Sequence, residues 1–502
     1  MWLLYPFIHH VAFGTIGSAT ATSLKAPVPS RSDIQEPVPL SRSIAGLSIE
    51  FCYITDYLGD VMKPNNLSRQ LLQTVEDILG APPIIRIGGH TQDTARYDSS
   101  NSATLSNVFE PGNLEAVNVT FNSDLFHVLN ENVATHQQYI FGLNFGQGNM
   151  ELPKAELKAA ESLLQPFRLY AYELGNEPDF YSATQRPRPW NVNTFAQQQL
   201  VWISSLKTEI EHNSHQFQLG ALAQEPIYQG NFSLAELTKM GLPKLLGNIK
   251  TYSDHTYPFS VCTSDSAALV SLPNLMNHTK TIQYLSQWQN EVANAQLARA
   301  HFFMGETGSV SCHGKDGISN TLGAAIWEID YMLHGATLGF QGVFFHMGTP
   351  FYYSMWQPVV YNNKPATVYP TYASLLFMAD LVANIADPAI LELLVSEGDS
   401  LAAYAIYDHG QVSKLVVLNY GYYNDTRTAR PSQQVEVTPL LGHDLKVTRL
   451  SGALSTTTDF ENVTWAGQKY TRGYAEGERV TEYCNGGVVE LAASEAVIIQ
   501  RK

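Results

Sequence analysis

Between about residues 45 and 350, short apolar runs recur along the chain. Each ends in a polar or glycine break, and amphipathic stretches separate them. The runs cover residues 47–51, 84–87, 139–143, 169–174, 217–221, 251–255, 301–304 and 342–346. Their length and their Gly and Pro flanks mark buried strands. Helical periodicity fills several gaps, as over residues 195–212 and 280–300. Alternating strand and helix implies parallel strands with right-handed crossovers. Eight such units predict a (β/α)8 TIM barrel spanning residues 45–388, a normal size for that architecture. From about residue 390 the texture changes. Runs at 401–407 and 415–418 flank the turn Asp408-His409-Gly410, and short runs continue at 488–491 and 496–499. This predicts a C-terminal antiparallel β-sandwich over residues 389–502. Residues 23–44, rich in Pro and Ser, read as an extended segment, either a linker or an edge strand of that sandwich.

Polar residues gather where the runs end: Gly88 to Asp93, Asn144, Asn176-Glu177, Gln224-Glu225, His255-Thr256-Tyr257, Glu306 and His346. In a barrel these ends share one face, where barrel enzymes carry their sites. Two carboxylates stand out. Glu177 follows the fourth run in Tyr172-Glu173-Leu174-Gly175-Asn176-Glu177-Pro178, and Glu306 follows the seventh in Gly305-Glu306-Thr307-Gly308. A first-turn helix charge is the bland alternative for Glu177. Strands four and seven lie across a barrel, so inward side chains can face one another. Glycosidic hydrolysis needs such a pair, one acid for the leaving oxygen and one carboxylate for the anomeric carbon, with about 5–5.5 Å between them for retention. The negative nucleophile helps the acid keep its proton. Asn176 is placed to hold the sugar hydroxyl beside the anomeric carbon, and Tyr257 to donate to the nucleophile.

Composition narrows the partners. Net charge is −16, and Arg186-Pro187-Arg188 is the densest basic cluster. This excludes nucleic acid and a groove for a long polyanion. The 26 tyrosines and 22 phenylalanines suit a sugar-lined cleft and equally a β-rich core. Residues 1–22 read as a secretory signal, apolar to Gly17 with Ala19-Thr20-Ala21 at its end, although it lacks a basic start and His9-His10 interrupt it. Sequons at Asn66, Asn118, Asn231, Asn277, Asn424 and Asn462 fit a secreted, extracellular glycoprotein. No other run reaches membrane-spanning length, so no membrane partner is expected. Histidines 90, 255, 313 and 346 lack metal-ligand spacing, and the chemistry requires neither metal nor cofactor.

The set Glu173-Leu174-Gly175-Asn176-Glu177-Pro178, Gly305-Glu306-Thr307-Gly308, Arg86-Ile87-Gly88-Gly89 and His255-Thr256-Tyr257-Pro258 resembles glycoside hydrolase family 79 of clan A, in its fungal, secreted β-glucuronidase form. The resemblance covers nearly the whole mature chain. It implies Glu177 as acid/base, Glu306 as nucleophile, a retaining mechanism and a glucuronic-acid-containing carbohydrate as partner. The substrate-binding set is Glu50, Asp56, Arg86, His90, Asn176, His255 and Tyr257. Gly308, Lys315, Tyr352 and Tyr353 join it as candidates for the sugar carboxylate. Four cysteines allow three pairings. A Cys262–Cys312 bridge would tie the loops after strands six and seven, and Cys52 reads as a buried thiol. A heparanase-like endo-enzyme, a neutral-sugar glycosidase and a non-catalytic carbohydrate-binding protein are the alternatives. The first conflicts with the scarcity of Lys and Arg.

Overall fold

The computed structural model describes residues 22–23, 36–210, 217–227, 232–247, 249–395 and 400–502. Of the signal expected over residues 1–22, all but Thr22 lies outside them, as does the sequon at Asn231. Eight parallel strands close into a barrel in chain order. They are β1 (Ala45–Glu50), β2 (Ile85–Gly88), β3 (Tyr139–Leu143), β4 (Leu169–Leu174), β5 (Phe217–Leu222), β6 (Ile249–Thr256), β7 (His301–Thr307) and β8 (Gly342–Met347). Pairing of β8 with β1 completes the ring. The strands read as apolar runs because helices cover their outer faces while their inner faces fill the barrel.

Inside, the filling is layered. Ile84, Ile140, Ala171, Phe303 and Phe344 form an apolar plug. Further along the strands the inward positions turn polar, with Ser48, Arg86, Glu173, Gln218, Thr251 and His255 all buried. A register shift in β7 matters here. Asp254 pairs with Met304, but His255 pairs with Glu306. The extra residue is Gly305, where a Cβ would lie 2.0 Å from Ser253 Oγ. A bulge at a glycine thus turns both Gly305 and Glu306 inward.

The helix expected over 195–212 is observed as Val192–Leu206, capped by Asn191, whose side chain accepts from the Asn193 and Thr194 amides. The stretch expected to be helical over 280–300 is two helices, His278–Leu285 and Gln289–Leu297, separated by a 3-10 turn at Ser286–Trp288. Helix Leu322–Leu338 is apolar nearly all round because barrel and C-terminal domain bury it from both sides.

The C-terminal domain is antiparallel. Its large sheet holds β9 (Pro388–Glu392), β10 (Leu401–Asp408), β11 (Gln411–Asn419), β13 (Asp444–Gly452) and β15 (Glu495–Arg501), and its small sheet pairs β12 (Ser432–Glu436) with β14 (Val488–Ala492). Leu401, Ala403, Leu415 and Val417 pack between the sheets. The alternate residues Ala402, Tyr404, Val416 and Leu418 join the core shared with the barrel. Val38–Pro39 adds an edge strand beside β9, and Thr22–Ser23 pairs beside β12. No described helix is long and apolar enough to cross a membrane.

Candidate active site

Glu177 sits just past β4 with φ 50° and ψ 51°, a left-handed conformation costly for a residue with a Cβ. Its amide donates to Ala221 O at 2.9 Å, which pins it to the end of β5. It precedes the 3-10 turn Pro178–Phe180, yet its side chain makes no capping hydrogen bond. The side chain is free to face the cavity. Asp93, after β2, accepts the amides of Phe145, Gly146 and Asn176 and the Tyr181 hydroxyl, and so ties the ends of β3 and β4 together.

A cavity of about 480 Å³ opens there, lined by Glu50, His90, Asn176, Glu177, His255, Tyr257, Glu306, Tyr353 and the Cys262–Cys312 pair, among others. One oxygen each of Glu177 and Glu306 and one His255 nitrogen lie within 4.8 Å of one another. Such a trio could bracket a cation by distance. The donor set opposes it, because Arg86 already donates to Glu306 and Glu177 holds a proton.

The carboxylates differ sharply. Glu306 accepts Arg86 Nη1 at 2.8 Å and Tyr257 Oη at 2.8 Å. Burial works against its charge, but His346 and Arg86 together with the Tyr257 bond hold its carboxyl far below the usual carboxylate range. Glu177 is pushed well above that range by burial, then by the Glu306 charge and by Asp179. One group is thus ionised while its neighbour keeps a proton. His255 Nδ1 lies 3.2 Å from Glu177 Oε1. Burial, aided by Arg86, drops the His255 pKa to about 4, so this ring is neutral. His346 behaves oppositely. It lies 3.2 Å from Glu50 and 3.7 Å from Glu306, and these carboxylates raise its pKa against the effect of burial.

Several expected binding residues stand elsewhere. Arg86 is fully buried beneath the cavity. Gly308 lies under Tyr257 and Tyr353, where an added Cβ would be 3.0 and 3.2 Å from their rings. Asp56 accepts from Thr349 Oγ1 outside the lining, and Tyr352 is half-buried with Lys364 over its ring. Lys315 does not reach the cavity; its Nζ donates to Val270 O at 3.3 Å. The chain leaves the lining at Cys312-His313, both left-handed, and His313 stands where a lysine was expected. The cavity-lining residues Glu115, Phe180 and His313 carry no local sequence signal for a site. Glu115 lies in the loop between two strands, Leu105–Val108 and Asn118–Phe121, of an inserted three-stranded sheet after β2 and meets His313 Nε2 at 3.1 Å. Glu173 was legible in principle, since alternation from inward Ala171 turns it inward as well. The Cys262–Cys312 disulfide is present, while Cys52 and Cys484 are free.

Residues 403–498 match the glycosyl hydrolase family 79 C-terminal beta domain. A β-glucuronidase of Neurospora crassa is 28% identical over 84% of this chain and 78% of its own length. One of Aspergillus niger is 27% identical over 94% and 90%. The crystal structure of a 4-O-α-L-rhamnosyl-β-D-glucuronidase from Fusarium oxysporum, in complex with Rha-GlcA, superposes with a TM-score of 0.81 at 26% identity, covering 95% of this chain and all of that one. A family 51 arabinofuranosidase from Xanthomonas axonopodis shares the fold alone, with a TM-score of 0.62 at 14% identity over 96% of this chain and all of its own. With that C-terminal domain matched and β-glucuronidase relatives along most of its length, the chain is a glycoside hydrolase that resembles family 79.

Proposed function

We propose that the chain is a secreted, retaining exo-β-glucuronidase. It removes terminal β-linked glucuronic acid, with or without a 4-O-methyl group, from polysaccharides or glycoconjugates. The observation that carries the mechanism is the Glu177–Glu306 pair, with oxygens within 4.8 Å and opposite protonation. That spacing suits direct attack rather than an intervening water. Glu306 attacks the anomeric carbon while Glu177 gives its proton to the leaving oxygen. The resulting ester no longer carries the Glu306 charge, so Glu177 holds a proton less tightly and takes one from the incoming water. That water's oxygen bonds to the anomeric carbon and the Glu306 carboxylate leaves.

The names of the fungal relatives and of the superposed structure support glucuronic acid as the sugar. Within the cavity His90, His313 and Tyr353 offer donors to a sugar carboxylate. Burial alone would lower the His90 pKa, but Glu115, Glu50 and other carboxylates raise it overall, which favours the cationic form. The Glu115–His313 contact joins the inserted sheet to the loop after β7 and supports exo action, since a through-running chain would have to part it. No lysine or arginine lines the cavity among the described residues, which disfavours a sulfated polymer. The disulfide and the exposed sequons at Asn66, Asn424 and Asn462 fit secretion.

The test is hydrolysis of p-nitrophenyl β-glucuronide against the β-glucoside. Nitrophenol release from the glucuronide alone is expected. Preference for the glucoside would overturn the uronate reading, and depolymerisation of heparan sulfate would replace exo by endo action. Sugar binding without turnover would leave a binding protein.

A further inference from the structure

Beneath the cavity lies a buried relay that neither substrate nor solvent reaches. Arg86, on β2, has no exposed surface. Its Nε and Nη2 donate to a single oxygen of Glu173 on β4, at 2.8 and 2.6 Å. The same guanidinium reaches the reacting layer with its remaining donors. Nη1 meets Glu306 Oε2 at 2.8 Å, and Nη2 meets Asn176 Oδ1 at 2.8 Å. The other Glu173 oxygen accepts Gln218 Nε2 at 2.5 Å, and Gln218 Oε1 accepts Thr251 Oγ1 at 2.8 Å.

We propose that Glu173 is a positioning residue for hydrolysis: through Arg86 it sets both the nucleophile Glu306 and the amide orientation of Asn176. This rests on the double-displacement reading above. Two consequences follow from the geometry. Because Arg86 occupies Asn176 Oδ1, the Asn176 Nδ2–H groups are left to face the sugar. Because Glu173 shares the guanidinium charge, Glu306 is not the sole counterion of a buried cation and keeps its reactivity toward carbon. The wider field on Glu177 comes from Glu306 on β7, His255 on β6, Asp179 on its own turn, His90 after β2, Tyr257 and Glu225 around the cavity, and Arg86 beneath. Of these, Arg86 favours the ionised form of Glu177.

The variant Glu173→Gln keeps shape, and with the Gln218 amide turned over each contact of the relay keeps a donor and an acceptor, Thr251 Oγ1 now accepting from Gln218 Nε2. Only the charge is lost. Expected are an unchanged melting temperature within a few degrees, KM within about twofold, and kcat lower by roughly tenfold or more, the scale of one charge-assisted bond. The high-pH limb of kcat/KM should move to lower pH, because an unshared Arg86 acts more strongly on Glu177. The double variant Glu173→Gln/Gln218→Glu returns a carboxylate to the relay and should recover most of both effects. Unchanged kcat and pH limbs in Glu173→Gln would overturn the proposal. So would a loss that tracks melting temperature with both limbs unmoved. Should the single variant not fold, the double one is compared with wild type directly, and a folded double variant that recovers neither kcat nor the limb overturns it. Glu306→Gln serves as the control. If it is dead while Glu173→Gln is wild type, the relay fails and the catalytic pair stands. If it is active, the pair fails and the relay with it.

Discussion

Replacing Glu306 by Gln should make Glu177 a much stronger acid. The two carboxylates approach within 4.8 Å. At an effective dielectric of about 20, two unit charges at that distance repel by about 3.5 kcal/mol, roughly 300-fold in an acid dissociation constant. Arg86 and His346 share the Glu306 charge, so the measurable change lies between about tenfold and that figure. The sign is fixed. The Glu306 charge penalises ionised Glu177, so its removal lets Glu177 ionise at lower pH, and the Arg86 thereby released acts in the same direction. The assay is a carboxyl-carbon NMR titration with labelled glutamate, in which the Glu177 signal is assigned by its loss in a Glu177→Gln background. The enzyme trapped as a 2-fluoro-glucuronyl ester should titrate like Glu306→Gln, because the ester also lacks the charge. That drop is what converts an acid in the first half-reaction into a base in the second. A Glu177 midpoint that is the same in free, substituted and trapped enzyme would refute this account of the pair.

Three further outcomes are expected. Tyr257→Phe removes a 2.8 Å donor to ionised Glu306, so kcat should fall by about 10- to 100-fold with the low-pH limb moving upward; an unmoved limb would show that the bond does not support the charge. Replacing both Cys262 and Cys312 by Ser opens a tether across a sequence separation of 50, which should cost up to about 4 kcal/mol in denaturant unfolding and raise KM more than it lowers kcat, since both cysteines line the cavity. At the junction of barrel and sandwich, His278 meets Asp330 at 2.9 Å and Glu392 at 3.1 Å. Burial opposes the imidazolium, but these carboxylates raise its pKa to about 10, while the two histidines His278 and His334 outweigh burial and hold Glu392 at about 2. The His278 contribution is complete below its unfolded value and is lost as pH rises toward 10. That of Glu392 is complete above its unfolded value and is lost as pH falls toward 2. The stability gap between wild type and His278→Gln should therefore be widest near pH 5–6 and shrink on either side, and a gap independent of pH in urea unfolding would contradict this.

All eight barrel strands were legible as short runs between breaks, most of them apolar because both strand faces are covered, although the sixth, Thr251 to His255, is largely polar where it joins the buried polar layer. Glu177 and Glu306 were legible as carboxylates at an emerging strand end, one after Gly175-Asn176 and the other after Gly305. Other features depend on contacts distant in sequence. Alternation from Phe303 alone would send Glu306 outward, and the bulge at Gly305 that turns it in lies in the pairing with β6, where a Cβ at 305 would meet Ser253 Oγ at 2.0 Å. Glu173 is 87 residues from the arginine it holds, and Glu115 is 198 residues from His313. Lys315 looked suitable by charge and proximity to Glu306, yet a left-handed turn carries it away from the cavity. Local pattern is set by which face each residue buries, and that much the chain carries by itself. The opposite protonation of two identical side chains comes from distances to His346, Arg86 and each other, and closure of the barrel alone creates those distances.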